Sequence, residues 1–135
     1  MRIMAVDYGD ARTGIAVSDE SRTLTGNAWV VQNKRADGVA QSIVDEAVAR
    51  GVKRIVVGHP KNMDGSVGQR AEKCERFAEL LRTLCDIEVV LWDERLTTMS
   101  AHRVLNDVGK FGKKRKKTVD AVAASLILEG YLGSL

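Results

Sequence analysis

Apolar residues along the chain fall into two patterns: short unbroken runs, and longer stretches in which they recur every three or four positions. Ile3-Met4-Ala5-Val6, Gly14-Ile15-Ala16-Val17-Ser18 and Ala28-Trp29-Val30-Val31-Gln32 are too short for helices and read as buried strands, the first ending at Asp7. Their short links predict an antiparallel meander. Asp37 can cap a helix in which Ala40, Ile43, Val44, Ala47 and Val48 share one face, with Gly51 as its stop. Arg54-Ile55-Val56-Val57-Gly58 is the next strand. Ser66 and Gln69 then have capping-box spacing before a long stripe of Val67, Ala71, Cys74, Ala78, Leu81 and Cys85. Glu88-Val89-Val90-Leu91-Trp92 is a fifth strand, stopping at Asp93-Glu94-Arg95. Thr97 can cap a helix carrying Met99, Val104, Leu105 and Val108, and Thr118 a last one carrying Val119, Val122, Ala123, Leu126 and Ile127.

This order, βββαβαβαα, predicts an α/β fold: a mixed five-stranded sheet with helices on both faces. No repeat, low-complexity tract or linker interrupts it, so one domain over 1–135 is expected; a chain of this size buries roughly 68% of its unfolded surface. The one segment without an apolar pattern, 109–117, is expected to be a mobile surface loop.

Composition adds little until charge is located. The net charge is +3 and the isoelectric point about 9.0, but the excess is concentrated at Lys110 and in Lys113-Lys114-Arg115-Lys116-Lys117. Cys74 and Cys85, eleven positions apart on one expected helix, would hold their Cα atoms about 16 Å apart and could not bridge. Both read as small core residues in a reducing compartment. Neither a signal peptide nor a membrane span is recognisable, and a cytoplasmic protein with no membrane partner is expected.

Parallel α/β sheets collect their chemistry where the strands end. The first strand ends at Asp7, the fourth at Gly58-His59-Pro60 and the fifth at Asp93-Glu94; Asp120, in the first turn of the last helix, reaches that edge if the helix packs beside strand one. Three separated carboxylates at one edge suit two hard divalent cations, Mg²⁺ or Mn²⁺, which together can stabilise the attacking and departing oxygens of a phosphodiester. Simpler readings stand beside this. Asp7 can begin a turn, Asp120 can serve the helix dipole, Arg95 can neutralise Asp93 or Glu94, Arg12 can be a surface cation, and the basic run a solvated loop. His59 and His102 show no partner at ligand spacing and read as structural.

Four ordered motifs resemble a known family. Asp7-Tyr8-Gly9 with Arg12, Gly14 and Ala16; Gly58-His59-Pro60 with Met63-Asp64-Gly65-Ser66; Asp93-Glu94-Arg95-Leu96-Thr97-Thr98 with Ala101; and Asp120-Ala121-Val122-Ala123-Ala124 with Leu128 and Leu132 are similar to the YqgF family, also called RuvX, over nearly the whole chain. The resemblance implies an RNase H-like fold and a cytoplasmic bacterial nuclease. Its expected work is maturing the 5′ end of pre-16S rRNA in ribosome biogenesis, with kinship to Holliday junction resolvases. It carries the three catalytic and metal-holding acids onto Asp7, Glu94 and Asp120, with Asp93 as second choice because neighbouring strand residues face opposite ways. Position 11, basic in many relatives, is Ala11, which leaves Arg12 as the phosphate contact of that loop, with Lys113, Lys114, Arg115, Lys116 and Lys117 tracking the nucleic-acid backbone.

The expected partner is therefore nucleic acid, pre-rRNA first and a DNA junction second, met by a monomer or a homodimer. Two rival readings remain: a nucleic-acid-binding assembly factor without cleavage, and a sugar-kinase or actin-like ATPase, since Asp-x-Gly before a β-turn also opens that superfamily's phosphate loop.

Overall fold

In the computed structural model, residues 1–19, 24–32, 35–96 and 112–135 are described, excepting the side chains of 24–26, 96 and 112–120. Five strands, β1 (Arg2–Tyr8), β2 (Arg12–Ser18), β3 (Leu24–Gln32), β4 (Val52–His59) and β5 (Glu88–Asp93), form one sheet in the order β3-β2-β1-β4-β5. The first three make the expected antiparallel meander, while β4 and β5 add in parallel beside β1. Helices α1 (Ala36–Ala49) and α2 (Gln69–Leu84) supply the two crossovers, and α3 (Gly112–Gly133) closes the chain. The helix expected after Thr97, with Met99, His102, Val104, Leu105 and Val108, lies outside the described residues.

The unbroken apolar run of β1 follows from burial on both faces. Met4 and Val6 join Ile15, Val17, Ile55 and Val57 under α1 and α2, where Ile43, Phe77 and Leu81 complete one core. Ile3 and Ala5 join Ala16 and Val56 on the other face, beneath Ala124, Ile127 and Leu128 of α3. Strand alternation thus assigns Tyr8 to the α1–α2 face and Asp7 to the α3 face.

Helix boundaries depart from expectation in three places. Asp37 does not cap α1; Arg35 holds the cap position, and the Asp37 carboxylate accepts from the Gly38 N–H at 3.0 Å within the first turn. Ser66 does not cap α2, because its N–H and hydroxyl both go to Asp64 in a turn that Gly65 closes at φ +89°. The last helix begins at Gly112, not Thr118, so most of the segment expected as a loop is its first turns. Lys and Arg are among the best helix formers, so a basic run without an apolar pattern can still propagate a helix. Gly51, at φ +70°, does end α1 as expected.

Candidate active site

Asp7 is the last inward residue of β1 on the α3 face and is only 9% exposed. Val6 pairs with Val57 and Asp7 with Gly14, so Gly58 stands beside Asp7 in the sheet. Gly58 is what lets a second carboxylate in. A methyl group built there would come within 2.9 Å of the Glu94 Cδ and 2.7 Å of the Ile127 Cδ1. The space a side chain would fill on β4 is therefore occupied by Glu94 from beyond β5 and by Ile127 from α3. Glu94 opens a short 3-10 turn, Glu94–Leu96.

Electrostatics follows from that packing. Burial first, then the neighbouring negative charge of Asp7, push the Glu94 carboxyl up to about 7, with the Arg70 guanidinium pulling the other way. The Cys74 thiol beneath this edge is pushed up to about 12, chiefly by burial, with Glu94 and Asp7 adding to the effect. It stays protonated, consistent with a core role, and Cys74 and Cys85 are both free.

Asp93 is turned to other work. Its carboxylate accepts from the Arg95 backbone N–H at 3.0 Å and from the guanidinium at 2.6 to 3.1 Å, which holds its pKa below the usual carboxylate range. Of the two neighbouring acids, Glu94 lies against Gly58 in the field of Asp7, and Asp93 braces the turn that presents it.

Asp120 lies in the N-terminal half of α3, its side chain outside the described set. The helix runs opposite to β4, with Tyr131 at Arg54 and Ile127 at Gly58. Asp120 precedes Ile127 by seven positions, so its backbone lies on the same helical stripe, about 10 Å further toward the carboxyl edge of the sheet. Lys113, Lys114, Arg115, Lys116 and Lys117 occupy the preceding turns of α3.

Arg12 opens β2 and, alternating with Gly14 and Ala16, belongs to the same sheet face as Asp7. The hairpin before it depends on Gly9, whose N–H donates to the Arg12 carbonyl at 3.0 Å and whose Cβ, if present, would meet that oxygen at 2.5 Å. His59, expected from sequence to be structural, has its Nε2 2.9 Å from Glu75 Oε1 and is 7% exposed, tying the end of β4 to α2. Sequence reading also passed over Arg70. A first-turn cation on a helix looks like any surface arginine, and only the packing of α2 brings its field onto Glu94.

Buried Asp7 and half-buried Glu94 offer carboxylate oxygen donors that repel one another when both are ionised, a set suited to a hard divalent cation. Among the described residues no group of three His, Cys, Asp or Glu side chains is spaced to hold a metal, and no helix is long and apolar enough to cross a membrane.

Comparison with known proteins agrees with this architecture. Over 136 residues, spanning 99% of both chains, the protein is 46% identical to a Bacillus cytotoxicus protein named "Putative pre-16S rRNA nuclease". It is 47% identical to the protein of the same name from Acetivibrio thermocellus over 137 residues, 99% of this chain and 96% of that one. In structure it is similar to Thermus thermophilus RuvC in complex with a Holliday junction substrate, at a TM-score of 0.66 and 11% identity over 99% and 96% of the two chains. It is also similar to the Fowlpox virus resolvase in complex with Holliday junction DNA, at 0.56 and 10% over 99% and 98%. These likenesses make the fold RNase H-like. The model of the RuvX family, described as Holliday junction resolvase, matches residues 1–134, and the chain belongs to that family.

Proposed function

We propose that this chain is a divalent-cation-dependent nuclease that hydrolyses phosphodiester bonds of structured nucleic acid, and that its substrate is the 5′ end of pre-16S rRNA. The observation that carries the reading is the meeting of Asp7 and Glu94 across Gly58. Burying two like charges side by side is costly unless a cation neutralises them, and such sites are more often functional than structural. The names borne by relatives at 46% and 47% identity supply the substrate.

In this reading Asp7, Glu94 and Asp120 hold two Mg²⁺ or Mn²⁺ ions, whose chemistry when bound is to generate a hydroxide nucleophile and to stabilise the leaving oxygen. Asp7 reaches the site from the rigid centre of the sheet, which keeps its carboxylate in one position between turnovers. Asp93 and Arg95 brace the turn that carries Glu94. Arg12 takes a substrate phosphate through its planar fork, and the basic turns of α3 hold the nucleic-acid backbone with little base preference. Such a protein works in the cytoplasm, as a monomer or a homodimer.

The test offers purified protein labelled pre-16S rRNA and a four-way DNA junction side by side in Mg²⁺ or Mn²⁺. Wild type is expected to cut the RNA and Asp7→Asn to lose cleavage while unfolding normally. Cleavage by Asp7→Asn at the wild-type rate would overturn the site. Cleavage of the junction in preference to the RNA would favour the second reading, a resolvase, which the family's description supports.

A further inference from the structure

On the opposite side of the sheet from Asp7, one residue further along β1, Tyr8 stacks on Phe77 of α2 with ring centroids 4.0 Å apart and planes 10° from parallel. Tyr8, Leu80 and the almost fully buried Phe77 line a cavity of about 390 Å³ together with Ala36 of α1 and with Asp10, Lys73 and Arg76. That volume is within the roughly 300–1,000 Å³ of small-molecule sites. Its lining combines an aromatic ring with two cations. Lys73 is in an exposed ion pair with Asp10 at 3.2 Å, which solvent weakens, and Arg76 has no ion pair among the described residues.

The cavity lies one residue beyond Asp7 along β1, on the other face of the sheet. Arg70, Lys73 and Arg76 recur every third position along the first half of α2, a spacing that keeps them on neighbouring faces of the helix. Arg70 acts on Glu94, and Lys73 lines the cavity. Cys74, on the same helix, has its Sγ 3.8 Å from the Tyr8 carbonyl oxygen, which ties this stretch of α2 to the end of β1. Arg70, Lys73 and Arg76 thus lead along α2 from the neighbourhood of Glu94 to the cavity.

We infer that this cavity receives one unpaired nucleotide near the bond that is cut, its base against the Tyr8 ring that Phe77 backs from the core and its phosphate on Lys73 and Arg76. This deepens the nuclease reading and rests on it: the chain would engage a single-stranded segment flanking the cleavage position, not a duplex alone. Aromatic stacking accepts any base, and the cations track phosphate, the combination used for unpaired strands.

The test measures binding of the full chain to a ten-nucleotide single-stranded RNA in EDTA, with 2-aminopurine placed at successive positions. One position is expected to be quenched on binding. Ala36→Trp fills the cavity from an exposed helix end and should abolish that quenching and weaken binding roughly 5- to 150-fold, the range of one base stack removed. Arg76→Gln should keep the quenching but lower the slope of log affinity against log salt by roughly 0.7, the share of one phosphate on a single strand. A thermal unfolding curve for Ala36→Trp matching wild type makes the comparison valid, and Tyr8→Leu repeats the test from the cavity floor. Wild-type affinity and quenching in both Ala36→Trp and Tyr8→Leu would overturn the inference. Because the assay contains no divalent cation and reads no cleavage, its failure is separable from failure of Asp7→Asn.

Discussion

Glu94 should make the cation-free protein less stable as pH rises, and replacing it with glutamine should remove that loss. Its carboxyl moves from an ordinary 4.5 to about 7 on folding, which at about 1.4 kcal/mol per pH unit amounts to about 3 kcal/mol of preference for the protonated form. Because the folded-state pKa is the higher one, the stabilisation is fully present below about 4.5 and is lost as pH rises through about 7. Glutamine keeps the shape and carries no charge. In EDTA, Glu94→Gln should therefore match wild type near pH 4.5 and exceed it at pH 8 by about 2–3 kcal/mol, or roughly 10 °C in Tm for a chain of this size. The assay is urea unfolding across that pH range, repeated with Mg²⁺. The cation should stabilise wild type at pH 8 by binding the folded state alone, and stabilise the variant much less. A variant less stable than wild type at pH 8, or a wild-type pH dependence unchanged by the substitution, would refute the reasoning.

Other substitutions probe the surrounding parts. Gly58→Ala forces a methyl into Glu94 and Ile127; differential scanning calorimetry should show a loss of about 1–3 kcal/mol, with cleavage falling alongside. Asp93→Asn should leave cleavage within about tenfold of wild type, the equivalent of 1.4 kcal/mol, whereas Asp7→Asn abolishes it; equal losses in single-turnover assays would show that Asp93 and not only Glu94 touches the chemistry. Replacing Lys113, Lys114, Arg115, Lys116 and Lys117 by Gln preserves helix propensity and should flatten the salt dependence of nucleic-acid binding by roughly 0.7–0.9 for each phosphate no longer neutralised; an unchanged slope in a fluorescence titration would remove the basic turns from the interface.

Strands β1, β2 and β4 were readable along the chain because each is a run buried on two faces, and burial leaves its mark residue by residue. Val52–His59 extends the expected Arg54–Gly58 by a few positions and no more. Asp7 stood out for the same reason: a carboxylate at the end of such a run interrupts a local pattern. Helix ends were less legible, since Ser66 has two possible uses, a cap or a turn with Asp64, and only the folded loop selects the turn.

The choice between Asp93 and Glu94 could not be made locally at all. Strand alternation stops where β5 gives way to a 3-10 turn, and past that point the period of two no longer says which way a side chain faces. Where each acid lies depends on a distant residue and a near one: Gly58, thirty-six positions earlier, leaves the room that Glu94 fills, and Arg95, two positions on, holds Asp93. Arg70 beside Glu94 and Tyr8 against Phe77 are of the same kind. Local periodicity is written into the chain because each residue senses its own burial. Juxtaposition across the sheet edge is a property of how the elements pack, and the candidate chemistry of this protein is built from juxtapositions.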